Sequence, residues 1–145
     1  MGDSVKELQW MLSQLETTDV VAIRSITVTA GKLISVDGER VVMDLCNAVQ
    51  AANDTRKISF IYAIDSICKA HAKFVPLFAR SPIFKDLFVE TYKAVKGKDM
   101  YVDNVGTSLL CCFFRKAAIR QAYRDFRVLP TLPSSVLAFF RFTSH

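Results

Sequence analysis

The chain has 145 residues, of which 51% are hydrophobic and 23% charged, with a formal net charge of +5. That is the composition of one globular domain, residues 1–145, with enough chain for a substantial core and no low-complexity tract. The basic residues are scattered and read as a solvated surface rather than a nucleic-acid-binding run, and no apolar run reaches the roughly 18 residues that a membrane span needs.

Apolar residues recur at helical spacing along the whole chain, with no alternating strand. Ser4 with Glu7 reads as a capping box opening a helix to about Glu16, with Val5, Leu8, Met11, Leu12 and Leu15 on one side. A second helix is predicted from Asp19 to Ile34, burying Ile23, Ile26, Thr27, Ala30 and Leu33. It is rich in β-branched residues, and Gly31 weakens it further, so packing must hold it. Asp37 is placed to cap a third helix over 38–52, burying Val41, Val42, Leu45 and Val49.

Asn53 or Asp54 caps a fourth, which runs to His71. Its apolar stripe is Phe60, Ile61, Ile64, Ile67 and Cys68. A short helix over 74–79 follows. Ser81-Pro82 then opens a helix that Gly97 stops. Asp103 caps another, to about Ala118. After Pro130 and Pro133 the apolar segment SSVLAFFRF suits a last helix. The expected fold is all-α, about eight helices with one apolar side each, stacked in pairs.

The fourth helix raises a chemical question, because Asp65 stands within the apolar stretch FIYAIDSICKA. A buried, unpaired carboxylate is expensive. Ile58, Tyr62, Asp65 and Lys69 form a second stripe, so Asp65 need not face the core. Two readings stay open from spacing alone. One is a surface ion pair with Lys69 in the favourable i, i+4 order, or a cap on a neighbouring helix; the other is a ligand-facing carboxylate in a groove.

Other chemistry is thin. Cys46, Cys68, Cys111 and Cys112 have no CxxC spacing and are read as buried reduced thiols. His71 and His145 lack spaced partners, so no metal site and no cofactor is expected. No nucleophile–base pair or Gly-rich phosphate loop stands out, and the chain is read as a non-enzyme. The N-terminal residues lack a signal-peptide stretch, and Lys6 replaces the Ser or Thr of a myristoylation signal, which suggests a soluble intracellular protein.

YAIDSICKA resembles the signature of the CTD-interacting domain, which binds the C-terminal tail of RNA polymerase II and carries a pattern like LYxxDSIxKN on its fourth helix. Tyr62, Asp65, Ser66, Ile67 and Lys69 match it. IRSITVTAG, FVPLFARSPIFKDLFVETYKAV and DNVGTSLLCCFFRKAAI are similar to the second, fifth to sixth and seventh helices of that family. VHS and ENTH trafficking domains share the architecture. The resemblance implies a right-handed superhelix of eight helices, a nuclear location and a role in transcription or RNA 3′-end processing. Its partner would be the polymerase tail or a related peptide, with RNA left to other parts of a longer chain and no membrane.

The groove would be lined by Tyr62, Asp65, Ser66 and Lys69 and by Leu109 and Phe113 of the seventh helix. The sequence departs from the pattern where Leu109 replaces an arginine of phosphate-reading members, Val28 a basic residue and Ala70 an asparagine. Reduced or altered phosphate dependence is therefore expected, with Arg24, Arg115 and Lys116 as candidate substitute cations. The alternatives are a VHS- or ENTH-like module reading sorting peptides or ubiquitin, and a scaffold whose groove is vestigial. The N-terminal helix holds Lys6 against Glu7 and Glu16, which argues against an ENTH-like membrane helix.

Overall fold

Three side chains start helices as their positions predict. Asp19 accepts a hydrogen bond from the Val21 amide at 2.9 Å, Asn53 from Arg56 at 3.0 Å and Ser81 from Phe84 at 3.1 Å. Each satisfies an amide that the first helical turn leaves without an intrahelical partner.

The computed structural model describes residues 2–98 and 100–113. They form an all-α domain of six packed helices with no strand: α1 (Gly2–Gln14), α2 (Val20–Ala51), α3 (Asp54–Ala70), α4 (Phe74–Ala79), α5 (Pro82–Val95) and α6 (Met100–Phe113). The expected last helix, and the end of the seventh beyond Phe113, lie outside the described residues.

The second and third predicted helices abut as α2, meeting at a kink at Asp37, whose backbone leaves the helical region (φ −158°, ψ 64°). The Asp37 carboxylate accepts from the Arg40 amide at 3.2 Å, so it caps the 38–51 half as the sequence suggests. No loop separates the halves, because one non-helical residue suffices to redirect the axis. Two other starts move. Helix α1 begins at Gly2, which puts Ser4 inside the first turn rather than at the cap, and α6 begins at Met100. Asp103 is therefore in the first turn of α6, where its carboxylate accepts from the Gly97 amide. Gly97 itself has φ +82°, the left-handed conformation that ends α5.

The core runs along the whole bundle. Leu8, Ile26, Val41, Leu45, Phe60, Ile61 and Ile67 are sealed between α1, α2 and α3. Phe113 of α6 closes an aromatic cluster against Phe78, Phe84 and Phe88, with ring centroids 5.5, 5.3 and 5.6 Å away. Two glycines allow close approach. The His71 ring lies against Gly31, and the Tyr92 ring lies against Gly106, each where a Cβ would overlap the ring. Tyr92 then reaches across to α6, donating to Thr107 Oγ1 at 3.0 Å while Thr107 donates to the Asp103 carbonyl.

Candidate functional site

Helix α3 presents two faces, as its spacing predicts. Phe60, Ile61, Ile64 and Ile67 are buried, while Ile58, Tyr62 and Asp65 are half-buried and Lys69 is exposed. Asp65 is thus near the surface. Its side chain is 15% exposed and its Oδ2 lies 2.9 Å from Lys69 Nζ, one turn on, whose own side chain is 76% exposed. A pair so open contributes little to stability, about 0.2–0.5 kcal/mol. The pair fixes where the carboxylate sits on the helix surface.

Ser66 faces a different task. Thr27 donates to the Ile23 carbonyl at 2.8 Å, so its oxygen is left to accept, and Ser66 donates to it at 2.7 Å. The Ser66 hydroxyl therefore ties α3 to α2. His71 adds a second tie at the end of α3, its Nε2 lying 3.2 Å from the Thr27 carbonyl. Arg24, one turn before Val28 on α2, is exposed, and Val28 is 53% exposed.

Leu109 and Phe113 are 2% and 3% exposed. They belong to the buried stripe of α6 with Val102 and Leu110, and the helix turns Ser108 and Cys112 outward instead. Both residues therefore stand behind the site rather than on its wall. Arg115 and Lys116 lie outside the described residues.

Cys112 of α6 lies close enough to Asp65 to feel its charge, and it is exposed where a buried thiol is expected. Partial covering of its sulfur first, and the Asp65 carboxylate second, push its thiol pKa up although the residue as a whole is exposed. Cys68, buried on α3, is pushed up to about 12 by burial first, then by Cys112 and Asp65. Asp65 thus sits at the seam between α3 and α6, with two neutral thiols beside it. The outward position of Cys112 was legible in principle, one turn beyond Ser108 on the polar side of α6. The doubled Cys111-Cys112 within an apolar run hid it.

A further concavity of about 340 Å³ lies between the 38–51 half of α2 and the α4–α5 junction. Met43 and Ile83, 57% and 65% exposed, border it with Leu77, and Glu39 and Arg80 add opposite charges. Cys46 is buried there, its thiol pushed up to about 11. Glu39, Met43, Cys46 and Gln50 recur at helical spacing, which is the signal that could have marked this surface.

Among the described residues no cluster of His, Cys, Asp and Glu is placed to hold a metal ion, and no helix is long and apolar enough to cross a membrane. No family model, curated protein or solved structure matches the chain.

Proposed function

We propose that this domain is a non-catalytic, nuclear peptide-binding adaptor. It recognises the C-terminal tail of RNA polymerase II, or a related tail peptide, in transcription or RNA 3′-end processing, with a superhelical fold of the CTD-interacting type. The observation that carries the reading is the partly exposed Asp65 carboxylate, in the second half of α3 and inside the DSI motif. A peptide N–H or tyrosine hydroxyl donating to that carboxylate makes a charge-assisted bond. Tyr62 supplies apolar wall, Lys69 adds positive potential, and Ser66 fixes the spacing of α3 and α2.

Phosphate contributes little in this reading. The α6 position that would carry a phosphate-reading arginine is the buried Leu109, and Lys69 is already engaged with Asp65. The same burial of Leu109 favours, as a second reading, a scaffold whose groove is vestigial.

Titration of polymerase-tail peptides, phosphorylated and plain, followed by amide chemical shifts, distinguishes the two. The adaptor reading expects shifts along residues 62–69 with either peptide. It also expects Asp65→Ala to weaken binding by about 10- to 150-fold, the loss of one hydrogen bond to a charged group. Absence of binding by both peptides supports the scaffold. Binding of sorting-signal peptides or ubiquitin in their place points to a trafficking module.

A further inference from the structure

A second pocket, of about 370 Å³, opens where α1, the 38–51 half of α2 and the start of α3 meet. Its volume falls in the range of small-ligand sites, and its lining is mixed. Gln9, Ser13, Asp44, Asn47 and Arg56 contribute polar groups, and Leu12 is the largest apolar one.

The hydrogen bonds of this pocket are unevenly spent. Arg56 donates Nε to the Leu15 carbonyl at 2.9 Å and Nη2 to the carbonyls of Leu12 and Ser13. It thereby caps the carbonyl end of α1, with its guanidinium 5.7 Å from the centre of the Phe60 ring. Ser13 donates to the Trp10 carbonyl at 2.6 Å. Gln9 donates its amide to Asp44 Oδ1 at 3.2 Å, and Arg40 Nε donates to the same oxygen at 3.2 Å. Asp44 is 6% exposed, and its other oxygen, Oδ2, is buried with no partner.

Gln9, Ser13, Arg40 and Arg56 thus donate within the protein, and the Ser13 oxygen accepts from Gln14 Nε2 at 3.4 Å, while Asp44 Oδ2 is the buried acceptor left without a partner. Native structures rarely leave a buried carboxylate oxygen unmet. The charge balance then selects among donors. Two guanidinium groups, Arg40 and Arg56, flank a single carboxylate, so an ammonium ligand meets net repulsion. A neutral donor does not. The pocket already receives one such group, the Gln9 carboxamide.

We propose that this pocket binds the amide group of a peptide chain, a side-chain carboxamide or a backbone N–H, through Asp44 Oδ2, with Gln9 as the internal group that yields to it. Oδ2 is sealed from water, so the incoming amide reaches it as the exposed Gln9 side chain swings off Oδ1. Gln9 therefore competes with the ligand, and its removal raises the fraction of pockets open to binding. The site is separate from Asp65 and independent of the adaptor reading.

The test uses small probes with the intact chain, followed by amide chemical shifts. Acetamide and N-methylacetamide represent the side-chain and backbone sources. Acetone has a similar shape without the donor, and methylammonium is the cationic donor. The expected result is saturable shifts at residues 9, 13, 44 and 47 with at least one amide, and weaker ones with acetone and methylammonium. Gln9→Ala is expected to tighten amide binding by about two- to fivefold. Asp44→Asn, which offers a donor where the acceptor stood, is expected to weaken it by roughly tenfold or more. Equal binding of acetone would make the pocket merely apolar, and tighter binding of methylammonium would make it a cation site. Either overturns the proposal, as does an absence of shifts or an unchanged affinity in Gln9→Ala. The last measurement holds even where Asp44→Asn fails to fold.

Discussion

Gly31→Ala is expected to destabilise this domain although alanine is the better helix former by about 1 kcal/mol. The added methyl would overlap the His71 ring, which lies against the α2 backbone with Nε2 3.2 Å from the Thr27 carbonyl. The ring must swing away. It loses that hydrogen bond, about 0.5–1.5 kcal/mol, and the displaced packing costs a further ~1–3 kcal/mol. Its edge contact with Phe74, at a centroid distance of 6.4 Å, goes as well. After the propensity gain the net loss is about 0.5–3.5 kcal/mol. The decisive step is to repeat the substitution in a His71→Ala background. With the ring gone the methyl has room, and Gly31→Ala should then stabilise by up to ~1 kcal/mol, reversing its sign. Urea denaturation of the four proteins gives the coupling energy, expected at about 1.5–4.5 kcal/mol. Stabilisation by Gly31→Ala in both backgrounds, or a coupling below about 0.5 kcal/mol, refutes the contact.

Other outcomes follow from the core and the thiols. Ile64→Ala, at a site 2% exposed, should lower stability by about 2–5 kcal/mol, and an unchanged thermal midpoint would mean that α3 is turned differently. Leu109→Arg should forfeit at least the about 2–5 kcal/mol of a buried leucine, and a variant as stable as the parent would place Leu109 at the surface. Stability should also fall in alkali. Cys46 and Cys68 rise from 9.0 to about 11 and about 12 on folding, so they favour the folded state fully below pH 9 and less as pH climbs toward those values. Each contributes a slope of about 1.4 kcal/mol per pH unit in that window. Replacing both with alanine should flatten the alkaline limb of a pH–stability profile, whatever it does to the baseline.

The helices were legible because their apolar stripes and caps agree. Every residue expected to be buried on the second and third predicted helices is buried, and Asp19, Asn53 and Ser81 cap where their side chains can reach an amide. The junction at Asp37 was legible from its capping side chain, but periodicity could not say that the two helices meet there at a kink with no loop between them. Periodicity also gave Gly31 the wrong sign of importance. The glycine is a weak helix former by itself, and its need for space comes from His71, far along the chain. The accessible face of α3 was readable from the stripe of Tyr62, Asp65 and Lys69. The inward turn of Leu109 follows from Asn104 and Ser108, which set the polar side of α6, but the resemblance placed Leu109 in a groove and the apolar run Leu109–Phe114 obscured that phase. Asp44 escaped notice for another reason: its burial depends on α1 and Arg40, which spacing along α2 does not report.

The position of Phe113 bears on how this chain is born. Its ring lies against Phe78, Phe84 and Phe88, and it comes after all of them in sequence. During synthesis α1, α2 and α3 emerge first and can pack on one another. The aromatic faces of α4 and α5 must wait for α6. Until Phe113 leaves the ribosome, the nascent chain holds a row of phenylalanines that still lacks the ring that closes it among the described residues. That interval exposes sticky surface to other nascent chains and to chaperones. Slow translation ahead of α6 lengthens it, and a truncation that removes Phe113 makes it permanent.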